Sequence, residues 1–439
     1  MNLDAPKNAN YAAVVVRVNN LVDLPGLDNL VGAPVLGHQA LTQRSIGVGD
    51  LRIAFTAETQ LSPDFCYNNN LYRDATLNAD EGETGYLEAN RRIRALKLRG
   101  HRSDALLMPL ESVAFAGINP GELQEGDTFD TLNGHAICQK YEIPVKQGSS
   151  PAKSKVEKAF KRVDSKLFPE HLDTDAYWRS KHLLRPGREV VVTQKLHGTS
   201  IRIGRVPCLR QKGWLERQLN RWFPTTDHTY DAVFGSRKVI KDVNNPNQNH
   251  YYATDIWTEY GSKVADMVPE GYMVYGELIG WTSGSAISDQ GKSLGTSSPI
   301  QANYTYDVPR GQAELYVYRV ATINAQGTLA DLPWDGVKEF CQARGLKWTP
   351  ELARLTPDRV DEWLDAAADA VFHDDWSIGD EDTFVEEPVR LSSSKTVDEG
   401  VCLRQEGIVP TILKAKSAVF LQHETKLLDK GEVDLESAA

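Results

Sequence analysis

Apolar and polar positions follow two rhythms along the chain. In residues 1–146 short apolar runs alternate with Gly- and Pro-rich turns. Ala12–Val18, Leu51–Phe55 and Val113–Ile118 read as strands, with turn material at Leu24-Pro25-Gly26. Arg91–Leu110 alternates apolar and basic residues before a further apolar run. Beyond Arg188 strand patterns alternate with helical ones. Val190-Val191-Val192 is a β-branched run that suits a buried strand, the polar turn Lys195–Ser200 interrupts it, and Ile201 and Ile203 resume on one face. Ala232–Phe234, Gly271–Trp281, Glu314–Val320, Glu399–Arg404 and Ile412–Lys416 are further expected strands. Helices are expected at Ala152–Val163, around Gln211–Trp222, at Asp335–Arg344 and at Pro357–Val371.

These patterns predict an α+β chain in several parts. A β-rich domain at 1–146 has the short strands of an OB-fold-like barrel. A helical connector at 147–187 and an α+β domain at 188–428 follow, with an acidic surface insertion near 374–387 and an acidic tail at 429–439.

Composition adds limits. The net charge of −11 argues against a uniformly nucleic-acid-binding surface, but basic residues gather at Arg91–Arg102, Lys153–Lys166 and Arg210–Arg221. Tyr67, Tyr72 and Tyr86 are aromatics that a basic groove in the first domain would use for stacking. Five cysteines lie far apart with no CxxC pair, which points away from a disulfide framework or structural zinc and toward a reducing cytoplasm. No apolar run is long enough to span a membrane, and the N-terminus lacks the pattern of a secretory signal. His171 and Asp173 are spaced as a metal or capping pair would be; with no third ligand nearby, a structural role is the expectation.

Candidate chemistry lies where charge interrupts apolar strands. Lys195 follows the valine run, Glu277 sits inside VYGELIG, Glu399 opens a strand, and Lys414 and Lys416 alternate within another. Ionisable groups are costly to bury unless paired or coordinated. A structural salt-bridge network would satisfy that demand. The same set also fits nucleotidyl transfer through a lysine. Neighbouring cations lower the pKa of the attacking amine and neutralise charge developing on phosphate. Two carboxylates suit Mg²⁺ or Mn²⁺. Tyr318 would stack on a purine, and Arg237 would hold ribose or phosphate.

Lys195-Leu196-His197-Gly198, Tyr275-Gly276-Glu277, Tyr316-Val317-Tyr318, Glu399-Gly400-Val401 and Leu413-Lys414-Ala415-Lys416 resemble, in order, the motifs of the covalent nucleotidyltransferase superfamily of ligases and capping enzymes. More narrowly the chain resembles the Deinococcus-type RNA ligases, in which an OB-like domain precedes the nucleotidyltransferase domain. The resemblance implies an ATP-grasp-like domain of antiparallel sheets and helices. It implies ATP and Mg²⁺ or Mn²⁺ as cofactors, with AMP carried covalently on Lys195. AMP then passes to an RNA 5′-phosphate before a 3′-OH seals the strand, with a preference for duplex nicks having RNA at the 3′-OH end, as in RNA repair. By the same match Glu277 and Glu399 contact metal or ribose, Lys414 and Lys416 contact phosphate, and Gln194, Leu196, His197, Gly198, Arg237 and Tyr318 line the nucleotide site. Gln194 stands where a related family has Glu, and its amide has the donor and acceptor that adenine needs. His197 stands where the usual motif has Asp, and Arg319 where many ligases have Asp. A monomer acting on RNA or an RNA-containing duplex is expected. The alternatives are a DNA ligase or capping guanylyltransferase, which place an OB domain after the lysine domain, and an inactive RNA-binding protein of the same fold.

Overall fold

The computed structural model describes residues 3–143, 162–209, 212–220, 222–223, 228–241, 254–283, 297–370, 384–391 and 396–430. Described residues within 3–143, 175–181 and 416–430 form one compact unit, and those within 162–174 and 182–415 form the other.

The first unit is built on a six-stranded sheet. Its strands run Leu30–Val35, His38–Gln43, Ala105–Met108, Leu51–Thr56, Ala13–Arg17 and Thr128–Phe129. This order is open: among the described strands no pairing joins Leu30–Val35 to Thr128–Phe129, so the sheet is not the closed barrel the strand pattern suggested. Thr128–Phe129 is only two residues long and offers little edge to close against. Phe55, Phe65, Ile53, Val113 and Phe129 fill the core beside the sheet.

Val113–Ile118 departs from its expected strand. Leu110–Ala116 is a 3₁₀ helix, entered through Pro109 and closed by Gly117 at φ 70. Proline presets the entry φ, and the left-handed glycine ends the helix; that punctuation outweighs a short apolar run. Val113 and Ala116 still reach the core.

The basic stretch is a tight hairpin, Leu96–Leu98 with His101–Ser103, preceded by a buried arginine. Arg92 makes two 2.8 Å bonds to the Glu58 carboxylate and a 3.0 Å bond to Asp429. Its charge is spent inside the fold, as structural ion pairing. Of the three tyrosines, Tyr67 and Tyr86 are about half exposed and Tyr72 is buried. Helix Ala418–Asp429, capped by Ser417 Oγ on the Phe420 amide, belongs to this unit and is a feature the sequence pattern did not announce.

The second unit has two sheets. One contains, in order, Thr411–Lys416, Gly400–Gln405, Val190–Lys195 and Glu351–Leu355; the lysine strand is therefore internal. The other runs His228–Gly235, Thr199–Leu209, Tyr272–Gly280, Ala313–Ile323 and Leu329–Asp331. Val191, Ile201, Ile203, Val274, Leu278 and Val317 form a core with helices Ile256–Val264 and Trp334–Gln342. Val190 and Val192 are fully buried, each side chain contributing about 1.5–3 kcal/mol of hydrophobic burial.

The expected helix at Pro357–Val371 begins as a 3₁₀ turn, Pro357–Arg359, and continues as Val360–Ala370. The basic helix is shorter than expected, Trp214–Leu219. The connector helix to residue 161 and residues 374–383 of the acidic insertion lie outside the described residues. The insertion's end is tied down: the amides of Val385 and Glu386 donate to Leu352 and Glu351 carbonyls.

Candidate active site

Lys195 ends the internal strand, directly opposite Gly400 on its neighbour. That register sets Glu399 beside it, and Lys195 Nζ lies 2.7 Å from Glu399 Oε2. Both side chains are largely buried, 17% and 3% exposed, so the pair sits where solvent screens it weakly. His197 Nδ1 approaches the same carboxylate oxygen at 3.3 Å. One oxygen thus gathers the lysine and the turn histidine.

The turn after Lys195 is clasped from the second sheet. Gly198 N donates to Glu277 Oε1 at 3.0 Å, and Ser200 Oγ donates to Glu277 Oε2 at 3.3 Å. Ser200 and Glu277 are opposed in the ladder and share a face. A Cβ on Gly198 would stand 2.1 Å from the Leu278 carbonyl oxygen, so only glycine permits this approach. Tyr306 OH accepts from the His197 amide at 2.8 Å, and Tyr304 meets the imidazole edge-on at 4.6 Å. Leu196 is buried beneath the turn.

Gln194 is placed differently from the adenine-reading role its chemistry allowed. Its Oε1 accepts from Val389 N at 2.8 Å, while Nε2 donates to Val389 O and Asp398 Oδ1, both at 2.9 Å. The amide is 1% exposed and fastens Val389 and Asp398 to the lysine strand. Burial pushes the Asp398 carboxyl up to about 7 despite the bond from Gln194.

Tyr318 shares a face with Glu277. A bulge at Tyr275/Gly276 puts an extra residue into strand Ala313–Ile323, so Val317 faces one core and Tyr318 the other, with Tyr275. Phe168–Asp173 backs this face at four points. Phe168 O accepts from Arg202 Nη1 at 2.7 Å, and Pro169 O from Tyr275 OH at 3.1 Å. His171 Nδ1 hydrogen-bonds Tyr318 OH, and Asp173 Oδ1 accepts from Arg237 Nη2 at 2.7 Å. His171 and Asp173 therefore each bond one of the expected site residues. Arg319 pairs with buried Asp331, so the charge change at that position has its own local partner.

Lys414 belongs with the Lys195 group. Burial raises the Cys402 thiol to about 11, and the charges of Lys195, Glu399, Lys414 and Glu277 all act on it. Lys416 lies 3.0 Å from Glu424 Oε1 and over the Phe420 ring, 5.2 Å from its centroid. Among the described residues no group of three or more His, Cys, Asp and Glu side chains could hold a metal alone. Glu277 and Glu399 are the site's carboxylates that could contribute to holding a cation such as Mg²⁺, which needs few carboxylates.

Tyr304, Tyr306, Asp398 and Arg202 were not singled out from the sequence. Asp398 carried a signal in its place beside Glu399. Tyr304 and Tyr306 lie in a polar loop whose only local hint is their spacing of two. Tyr306 adopts φ 47, a left-handed conformation unusual for a bulky residue.

Comparison with known proteins agrees with this architecture. The Naegleria gruberi RNA ligase solved with PPi superposes with a TM-score of 0.55 over 94% of this chain and 98% of that one, at 14% identity. A mutant of the same ligase with AMP and Mn gives 0.55 over 94% and 98%, at 15% identity. An apo mutant gives 0.56 over 95% and 99%, at 14% identity. At such low identity the likeness establishes a shared mixed α+β fold. No curated protein matches the sequence. The sequence model of the RNA ligase family matches residues 188–416, just over half of the chain and all of its candidate strands for chemistry. The chain belongs to the RNA ligase family.

Proposed function

We propose that the protein is an ATP-dependent RNA ligase working through a lysyl-AMP on Lys195. The observation that carries this reading is the Lys195–Glu399 pair, with its turn clasped by Glu277, inside the region that matches the family. In the first step the Lys195 amine forms an N–P bond to the α-phosphorus of ATP, and the bond to pyrophosphate breaks. The amine must first shed a proton, and Glu399 Oε2 at 2.7 Å is the acceptor in reach. Lys414, on the strand beyond Gly400–Gln405, would add positive charge that favours the phosphates. Tyr318 offers a face to the base, and Arg237 reaches ribose or phosphate. A divalent cation, held by Glu277 and Glu399, would neutralise the triphosphate charge. AMP then moves to an RNA 5′-phosphate, and an RNA 3′-OH displaces it, sealing nicks in duplexes as RNA repair requires.

The mutant ligase crystallised with AMP and Mn lends support to nucleotide and metal use. The first unit, with its short strands and half-exposed Tyr67 and Tyr86, is read as an OB-like module for nucleic acid. Five free thiols suit a reducing cytoplasm, and we read the working form as a monomer.

Intact mass after incubation with ATP and Mg²⁺ or Mn²⁺ tests the first step. The wild type gains one AMP and Lys195→Ala gains none. A wild type that neither gains AMP nor arrives adenylylated overturns the proposal. Sealing of nicked duplexes with RNA or DNA at the 3′-OH then tests the substrate preference.

A further inference from the structure

Residues 300–308 form an irregular loop that lies between strands Tyr272–Gly280 and Ala313–Ile323 and returns to the candidate site. Both of its ends are tied to the end of the strand that carries Glu277. Ile300 N donates to Gly280 O at 2.9 Å, and Trp281 Nε1 donates to Val308 O at 3.0 Å. Ile300, Tyr304 and Tyr306 are each at most 2% exposed. Within the loop Asn303 adopts φ 66 and Tyr306 φ 47. Left-handed backbone is unfavourable for a bulky side chain; it persists where the surroundings over-determine it, and such positions cluster at functional sites.

The two tyrosine hydroxyls bond main-chain groups on either side of the candidate chemistry. Tyr306 OH accepts from His197 N, two residues past Lys195, at 2.8 Å. Tyr304 OH donates to Val397 O, two residues before Glu399, also at 2.8 Å. The Tyr304 ring meets the His197 imidazole edge-on, with 4.6 Å between centroids, and His197 Nδ1 lies 3.3 Å from Glu399 Oε2. Packing alone would be served by phenylalanine. Buried hydroxyls bonded to two separate segments also fix how those segments meet. Where they meet, Lys195 Nζ and Glu399 Oε2 are 2.7 Å apart. Glu277 clasps Gly198 and Ser200 in the same turn and leaves the His197 amide to Tyr306.

We propose that Tyr306 and Tyr304 are positioning residues that brace the Lys195 turn against the segment leading into strand Gly400–Gln405. They act through His197 and Val397, and hold amine and carboxylate in place while the N–P bond to AMP forms, pyrophosphate leaves and Glu399 takes the amine proton. The inference rests on the ligase reading for the step it serves, and its test separates the two. Full-length wild type, Tyr306→Phe and Tyr304→Phe are each freed of carried AMP with pyrophosphate and compared. In single-turnover gain of AMP from saturating ATP, read by intact mass, Tyr306→Phe is expected to react about tenfold more slowly, the value of one hydrogen bond. Tyr304→Phe is expected to react about three- to tenfold more slowly. The ATP concentration for half-maximal rate should stay within about twofold, and the final AMP per protein should equal that of the wild type. A merely structural role would lower the final amount and leave the rate constant alone. Without nucleotide, hydrogen exchange at the His197 amide is expected to be about tenfold faster in Tyr306→Phe and unchanged in Tyr304→Phe.

A rate constant in Tyr306→Phe within about twofold of the wild type overturns the proposal, and so does a loss confined to the final amount of AMP. A loss confined to the half-saturating ATP concentration assigns the tyrosines to nucleotide binding and overturns it as well. A wild type that gains no AMP overturns the ligase reading instead. Faster exchange at the His197 amide in Tyr306→Phe then leaves the brace standing as a property of the turn, and unchanged exchange removes the brace too.

Discussion

A single methyl group separates a working turn from a blocked one at Gly198. Its Cβ would collide with the Leu278 carbonyl at 2.1 Å, so Gly198→Ala must push Lys195–Ser200 away from the Glu277 clasp. Displacing a catalytic turn by about 1 Å costs on the order of 100-fold, and a loss of that size in the rate of AMP gain is expected by intact mass, with lysine still present. Asp104 is the matching residue-scale case for stability. Although burial opposes ionisation, His38 Nδ1 at 3.1 Å, the Gln39 amide at 2.7 Å and Arg102 at 3.4 Å hold its carboxyl below its ordinary 3.8. A lowered carboxyl pKa stabilises the fold above the unfolded-state value and loses that contribution as pH falls through the folded-state value. Asp104→Asn is therefore expected to cost about 1.5–3 kcal/mol at pH 7, and the gap to the wild type should close below pH 3.8 in urea titrations. Charges that must find a partner were legible where they broke an apolar strand, as at Lys195, Glu277 and Glu399, each of which is bonded in the fold. Gln194 shows the limit of that reading. Its amide chemistry suits adenine equally well in either setting, and only the fold reveals that Val389 and Asp398 already occupy it.

At the scale of elements, Phe168–Asp173 is an irregular segment whose contacts matter more than its shape. His171 reaches the Tyr318 hydroxyl and Asp173 reaches Arg237, so changes here should act on nucleotide binding without touching Lys195. His171→Ala is expected to raise KM for ATP about three- to tenfold, the value of one hydrogen bond, with kcat within about twofold. In Tyr318→Phe the same change should add nothing, because the bond is already gone; an equal added loss would reject the coupling. Asp173 is 92% exposed on its side chain, and Asp173→Ala should shift unfolding by no more than about 0.5 kcal/mol. Long alternating or β-branched runs were readable as strands because their period dictates a buried face. Val113–Ile118 was not, because Pro109 and Gly117 impose a 3₁₀ turn that a short apolar run tolerates equally well.

For the molecule as a whole, the strongest constraint joins distant parts of the chain within the first unit. Arg92 bonds Glu58 and Asp429, and Ala95 N donates to Thr425 Oγ1 across 330 positions. Arg92→Ala strands the Glu58 carboxylate with 6% of its side chain exposed, and a loss of about 3–5 kcal/mol is expected in denaturant unfolding. A loss below about 1 kcal/mol would mean that the ion pair is not what anchors helix Ala418–Asp429. By itself the sequence determined the local matters: which runs bury a face, where turns interrupt them, and which strands carry a charge that must find a partner. Those follow from side-chain period and from the cost of burying charge, both written into neighbouring residues. Only the tertiary structure decided the partners. It set Glu399 rather than a cation against Lys195, returned helix Ala418–Asp429 to the first unit and left the N-terminal sheet open. Each of these depends on which distant surfaces meet, and local pattern is compatible with several answers until the packing of the whole chain selects one.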